Sequence, residues 1–254
     1  MQIELLRHAT LVVSLGGTRI LVDPMLGPVG GMPAIPDTPN PRPNPLVPLP
    51  RAIDAVVSGV EAAIVTHMHR DHFDAAAGEA LPKELPLFVQ AEDEDRLKEL
   101  GFNEILRVDP SRAWRGIEIV RTAGQHGHGE MAERMAPVSG FVLRAPGEPS
   151  LYVAGDTVWC EEVRQAMEAF EPRVIVVNAG AAQFLTGGAI TMTAEDVASV
   201  CAAAPDSTLL AVHMEAINHC LLTRAELRRF LEERDLSPQV LIPADGERLN
   251  FAVR

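Results

Sequence analysis

The stretch "THMHRDH", residues 66–72, sets His67, His69, Asp71 and His72 directly behind the apolar run Ala62–Val65. Neutral imidazoles and a carboxylate converging on one point are the donors that a borderline divalent metal takes. Side chains two apart on an extended chain point the same way, which aligns His67, His69 and Asp71. A helix starting near Asp71, with "DAAAGEA" behind it, would swing His72 back toward the same point. The bland reading is a solvated, histidine-rich turn. It fits poorly, because a buried strand that stops in such a cluster delivers these side chains to a sheet edge.

Other apolar runs end in metal-competent residues too. "GIEIVRTAGQHGHG" ends in His126 and His128, either of which can serve as the donor. "SLYVAGDT" ends in Asp156, "TLLAVHME" in His213 and "RILVDP" in Asp23. The elements that position them read as alternating strands and helices. Gly16–Gly17 marks a hairpin between β-rich segments. "AEDEDRLKEL" reads as a helix with Leu97 and Leu100 on one face, and Thr193 and Thr223 as helix caps. Sheets flanked by helices would gather the strand ends along one edge. Residues 27–50 hold about half of the chain's 20 prolines. This predicts a long, stiffened loop, either a functional lid beside the metal edge or a neutral insertion.

The 254 residues are 47% hydrophobic but only 4% aromatic, so the core must be aliphatic. A net charge of −13 argues against broad nucleic-acid or anionic-membrane surfaces. A small anionic substrate stays open, since bound cations reverse the local charge. Cys160, Cys201 and Cys220 suggest neither a disulfide framework nor a CxxC zinc site. "MQIELLRHATLVV" has acid and histidine inside its apolar stretch and no cleavage pattern. A cytoplasmic protein with no membrane span is therefore expected.

With HxHxDH at 67–72, Asp23 before it, and His126, Asp156 in "AGDT" and His213 in "AVHME" after it, the sequence resembles the metallo-β-lactamase fold superfamily of hydrolases. Spacing is most similar to the branch of ascorbate-6-phosphate lactonase and the N-acyl-phosphatidylethanolamine phospholipases. The resemblance implies an α/β fold, a four-layer αβ/βα sandwich, as a single domain over residues 1–254. It implies two divalent ions, zinc first, with manganese, iron or nickel as alternatives. His67, His69 and His126 would hold one; Asp71, His72 and His213 the other; Asp156 would bridge them. Asp23 would orient the HxHxDH loop. Asp71 would also be catalytic, orienting a metal-bridging hydroxide and passing its proton on. Position 69 is His where the diiron redox branch usually carries Glu, which implies hydrolysis.

The remaining polar candidates are read individually. His8, within an early strand, is expected to be a hydrogen-bonded core histidine. Asn178 and His219 are candidates for contact with the metal ligands or the substrate. Met68 and Arg70 fill variable slots of the motif. The expected function is a metal-dependent hydrolase of a small soluble ester, lactone or phosphodiester. A nuclease of the same fold and a non-catalytic metal-binding regulatory protein are the alternatives. The expected partner is a small molecule, not nucleic acid or membrane, and a homo-oligomer is compatible with the sequence.

Overall fold

Every residue of the strand Ala62–Val65 is buried, and its neighbours explain how one strand serves two cores. Ala62 and Ile64 face one apolar cluster, whereas Ala63 and Val65 face another. The same alternation splits Val174 and Val176 from Ile175 and Val177. A strand covered on both faces carries an unbroken apolar run, as these do.

The computed structural model describes residues 1–253. In chain order the elements are β1 (Gln2–Arg7), β2 (Thr10–Leu15), β3 (Thr18–Val22), α1 (Ile53–Val57), β4 (Ala62–Val65), α2 (Ala75–Ala80), β5 (Leu87–Val89), α3 (Glu94–Glu99) and β6 (Ile105–Arg107). They continue with β7 (Ser111–Trp114), β8 (Ile117–Ala123), α4 (Glu130–Met135), β9 (Ser139–Arg144), β10 (Leu151–Val153), α5 (Glu161–Phe170) and β11 (Val174–Asn178). The last are α6 (Ala194–Ala203), β12 (Thr208–Val212), α7 (Arg224–Glu232), β13 (Val240–Leu241) and β14 (Arg248–Asn250).

One sheet has the order β14-β1-β2-β3-β4-β5-β6 and the other β13-β12-β11-β10-β9-β8-β7. Each joins an antiparallel part (β14-β1-β2-β3, β7-β8-β9-β10) to a parallel part (β3 to β6, β10 to β13). Ile3, Leu5, Val13, Phe141, Leu143 and Leu210 belong to the cluster between the sheets. The outer face of the first sheet packs with α2 and α3 through Ala77 and Leu97; that of the second packs with α5, α6 and α7 through Met167, Val197 and Leu227. Helix, sheet, sheet, helix is the four-layer sandwich of the metallo-β-lactamase fold.

Local chemistry agrees with most element starts. Gly16 and Gly17 both take positive φ in the two-residue turn between Leu15 and Thr18, as a type I′ hairpin requires. Thr193 and Thr223 open α6 and α7 with full capping boxes. Two expectations fail. The cap of α2 is Asp74, whose Oδ1 accepts from Ala77 N at 2.8 Å, so Asp71 is left free for the site. Leu97 is buried but Leu100 is 42% exposed, because α3 ends at Glu99 and the turn carries Leu100 outward.

Candidate metal centre

β1 and β3 run the same way, as do β8 and β10, so the ends of β3, β4, β8, β10, β11 and β12 open onto one edge of the sandwich. That is where ligands of parallel sheets collect. Past these ends stand Asp23, the 67–72 loop, His126, Asp156, Asn178 at the close of β11, and His213. All are buried except His69, which is partly exposed, and Arg70, which faces solvent. Gly155 makes the turn into Asp156 possible. Its φ is +71°, and an added Cβ would lie 2.6 Å from Ser139 O, so no side chain fits there.

Asp23 ties the edge together. Its Oδ1 accepts from Thr66 N at 2.8 Å; its Oδ2 accepts from Thr66 Oγ1 at 2.8 Å and faces His72 Nδ1 at 2.8 Å. Both His72 N and Phe73 N donate to His69 O at 2.9 Å. This tight turn after β4, rather than continued strand, brings His72 back. It also separates Asp71 from His67 and His69, which the simple alternation had placed together.

The donors fall into neighbouring sets, each with atoms within 4.8 Å of one another: His67, His69 and His126; His8, Asp71, His72 and His213; and His67, His72 and Asp156. Asp156 lies between the first two. Its Oδ2 is 3.2 Å from His72 Nε2, 3.4 Å from His126 Nε2 and 3.9 Å from His67 Nε2, while Oδ1 is 3.2 Å from His213 Nε2. His72 Nε2 and His213 Nε2 are 3.3 Å apart, and Asp71 Oδ2 lies 4.0 and 3.9 Å from them. Bonds of about 2.0–2.2 Å to a four-coordinate zinc would put donors about 3.3–3.6 Å apart, close to this spacing.

The outer nitrogens are held as in metal sites. His126 Nδ1 donates to Ile190 O at 2.7 Å, and His67 Nδ1 lies 3.1 Å from Thr66 Oγ1. His72 Nδ1 has Asp23, and His213 Nδ1 lies 3.5 Å from Cys220 Sγ. Such contacts turn the Nε2 lone pairs inward. The donor set therefore fits a divalent cation.

Burial, helped by neighbouring imidazoles, pushes His67 well below the usual histidine range. Burial also lowers His69 and His126. For His72 burial opposes charging, but Asp156 and Asp23 outweigh it and raise the pKa well above normal. Asp71 and Asp156 are held well below the carboxylate range: burial opposes ionisation, but the hydrogen bond from His8 dominates at Asp71, and His213 and His72 do so at Asp156. Asn178 Nδ2 adds a 2.6 Å hydrogen bond to Asp156 Oδ1.

A pocket of about 410 Å³ opens onto His69, Asp71 and His126. Ile35, Pro36, Met68, Met135 and Phe184 give it apolar walls; Arg70, Arg96 and His219 also line it. His219 is buried, and its Nδ1 has no partner among the described residues. His128 faces solvent.

The proline-rich loop borders this pocket as a fixed wall. Its root is held by the fully buried Arg7, which donates to Met25 O, Gly27 O and Val47 O. Its far end is held by Asn218. That side chain's Oδ1 accepts from Ile35 N at 2.9 Å and Asn44 Nδ2 at 2.7 Å, and its Nδ2 contacts Thr38 Oγ1 and Asn40 O at 2.7 Å. Sequence reasoning missed Arg7, Asn218 and Cys220 as parts of this site. The only local signal was the position of Asn218 and Cys220 on either side of His219.

Fold and donor set together define a metal-dependent hydrolase scaffold. Residues 18–214 match the beta-lactamase superfamily domain, and the chain belongs to that superfamily, in the UPF0173 group of metal-dependent hydrolases. It is 42% identical over 254 residues to the UPF0173 protein YddR of Bacillus subtilis (strain 168), covering 99% of this chain and 100% of that one. Among solved structures it is similar to an isothiocyanate hydrolase from Delia radicum gut bacteria, with 36% identity, a TM-score of 0.95 and full coverage of both chains. It is also similar to a "possible metal-dependent hydrolase" from Veillonella parvula DSM 2008, with 33% identity, a TM-score of 0.96 and 99% of each chain covered.

Proposed function

We propose that the protein is a dinuclear metal-dependent hydrolase of small molecules that carry an apolar arm on an electrophilic carbon. Isothiocyanates come first, with esters and lactones as related substrates. The observation that carries this reading is the pocket: a small, mainly apolar chamber that reaches the donor cluster at His69, Asp71 and His126. The full-length similarity to an isothiocyanate hydrolase supports the choice of electrophile.

Under this reading His67, His69 and His126 would hold one divalent ion and Asp71, His72 and His213 a second, with the Asp156 carboxylate available to both. Zinc suits this donor set, as do manganese, iron and nickel. Ions held there would supply an activated water and polarise the electrophilic atom. The chain's own residues do the rest. Met68, Met135, Phe184 and Ile35 take the apolar arm and exclude bulk water. Asp71 lines the pocket and is placed to accept a proton from the attacking water. Burial lowers the His219 pKa to about 4, so at neutral pH it is an uncharged imidazole able to donate an N–H to a substrate heteroatom. For an isothiocyanate, water adds to the central carbon, the C–N bond breaks, and nitrogen takes up two protons. The products are an amine and carbonyl sulfide.

Arg70 and Arg96 favour a second reading, phosphodiester hydrolysis, because both stand exposed along the pocket and would pair with an anionic group. In either case the partner is a small soluble molecule, and the setting cytoplasmic. The test uses purified protein reconstituted separately with zinc, manganese, iron and nickel. It is offered benzyl isothiocyanate, phenyl acetate, a γ-lactone and bis(p-nitrophenyl) phosphate. About two ions per chain, with metal-dependent amine release from the isothiocyanate, are expected. Turnover of the phosphodiester alone would move the assignment to the second reading. Two bound ions without turnover on any substrate would make the protein a non-catalytic metal binder.

A further inference from the structure

His8 is the buried, hydrogen-bonded histidine that the sequence led one to expect, and its hydrogen-bond partner places it among the donors. It is fully buried, its Nε2 is 3.3 Å from Asp71 Oδ2, and its ring lies on that of His213 with centroids 3.6 Å apart. Its backbone is committed as well: His8 sits at φ +56° in the turn between β1 and β2, and its carbonyl accepts from His213 N at 2.9 Å. Positive φ is uncommon for a residue other than glycine, though less so for histidine, and such conformations persist where surrounding contacts over-determine them.

Two roles are open to an imidazole so placed. As a metal ligand through Nε2, it would carry its proton on Nδ1. As a hydrogen-bond donor to Asp71, it would carry its proton on Nε2 and leave Nδ1 bare. The surroundings of Nδ1 separate the two. His67, His72, His126 and His213 each have an oxygen or sulfur beside the outer nitrogen. His8 Nδ1 is buried with no partner among the described residues. A buried N–H without an acceptor is the costlier arrangement, and ligating histidines almost always have one.

We infer that His8 is a positioning residue and not a ligand: it is held as the neutral Nε2–H tautomer, donates to Oδ2 of Asp71, and thereby fixes that carboxylate and the adjacent His213 ring. This rests on the reading of Asp71 and His213 as metal donors. The proposal gives the buried His8–Asp71 pair a purpose. Asp71 is the one carboxylate of the HxHxDH loop that faces both the second donor set and the pocket, and a carboxylate pinned at one oxygen presents one geometry.

Two measurements test this. The first is nitrogen NMR on protein labelled at histidine, metal-free and zinc-loaded, with H8Q and H8L as assignment controls. A bare Nδ1 and protonated Nε2 at His8 are expected in both states. A His8 signal that shows a metal-bound Nε2 and a protonated Nδ1 after zinc loading would overturn the proposal. The second is zinc affinity by chelator competition. H8L keeps apolar bulk but removes the donor, and should weaken one of the two ions by about 10–100-fold. H8Q places an amide donor near the Nε2 position and should restore most of that loss. H8L binding both ions as tightly as the unaltered protein would refute the positioning role. If H8L does not fold, the tautomer in unaltered protein still decides. If unaltered protein binds no metal, the metal reading fails, while the tautomer in metal-free protein reports on the His8–Asp71 bond independently.

Discussion

Asn178 Nδ2 donates to Oδ1 of Asp156 at 2.6 Å, and this one bond orients the carboxylate that stands between the two donor sets. A carboxylate offers two oxygens, whereas a neutral imidazole offers one lone pair, so Asp156 is suited to join two cations. Asp156→Asn keeps the size but removes the charge, and adjacent cations would then repel with less compensation. We expect loss of at least one ion per chain by elemental analysis and a fall in turnover of 100-fold or more, on the order of 3 kcal/mol. Retention of both ions and full activity would show that Asp156 does not bridge.

His128 makes the opposite test. It is exposed within the Gly127–Gly129 turn, two residues from His126, whose ring is buried and directed by Ile190 O. His128→Ala should leave metal content unchanged and alter stability by no more than about 0.5 kcal/mol. Metal loss in this variant would exchange the roles of the two histidines.

Asn218 concerns the substrate and not the metal. Replacing it by leucine leaves Ile35 N without its partner and frees the loop wall that carries Ile35 and Pro36. Each buried polar group left unpaired costs about 1–3 kcal/mol. Asn218→Leu should keep its ions but shift the kcat/KM ratio between long-armed and short-armed isothiocyanates by about tenfold. Unaltered preference would mean that the wall does not shape the pocket in solution.

Asp93 gives a pH dependence away from the metal edge. Burial raises its pKa to about 6, against the hydrogen bond from Gln90 Nε2 at 2.9 Å. Between an unfolded value near 3.9 and about 6, the folded state keeps a proton that the unfolded chain has released. Stability therefore falls as pH rises through that window. Asp93→Asn removes the penalty. With a discount for partial solvent screening, it should add about 1–2 kcal/mol at pH 7–8 and little at pH 4. Thermal melts at the two pH values check this; equal shifts at both would assign the effect to packing.

Which parts of this architecture were legible in the sequence follows from sequence distance. The HxHxDH loop was legible because four donors sit in one short segment behind a buried strand. Asp23, His126, Asp156 and His213 were legible as polar ends of apolar runs, although their convergence came from resemblance and not from spacing. The hairpin at Gly16–Gly17 and the caps at Thr193 and Thr223 are local chemistry and were read directly. His8 is buried and hydrogen-bonded as expected, but it sits in a turn rather than within a strand, and its partner was hidden because Asp71 is 63 residues away. Asn218 was invisible because its contacts to Ile35 and Asn44 span 183 and 174 residues. The proline content showed a stiff loop; its anchors at Arg7 and Asn218 lie too far away in sequence to be read.

The two sheets meet at the donor cluster, and neither owns it. His67, His69, Asp71 and His72 hang from the first sheet, and His126, Asp156 and His213 from the second. An ion seated among them is a rivet through both halves, binding only when the halves are docked. Ligand held by the folded state alone stabilises it by about 2.7 kcal/mol at a hundredfold excess over Kd. The metal supply would then govern how long each molecule survives as well as how fast it works.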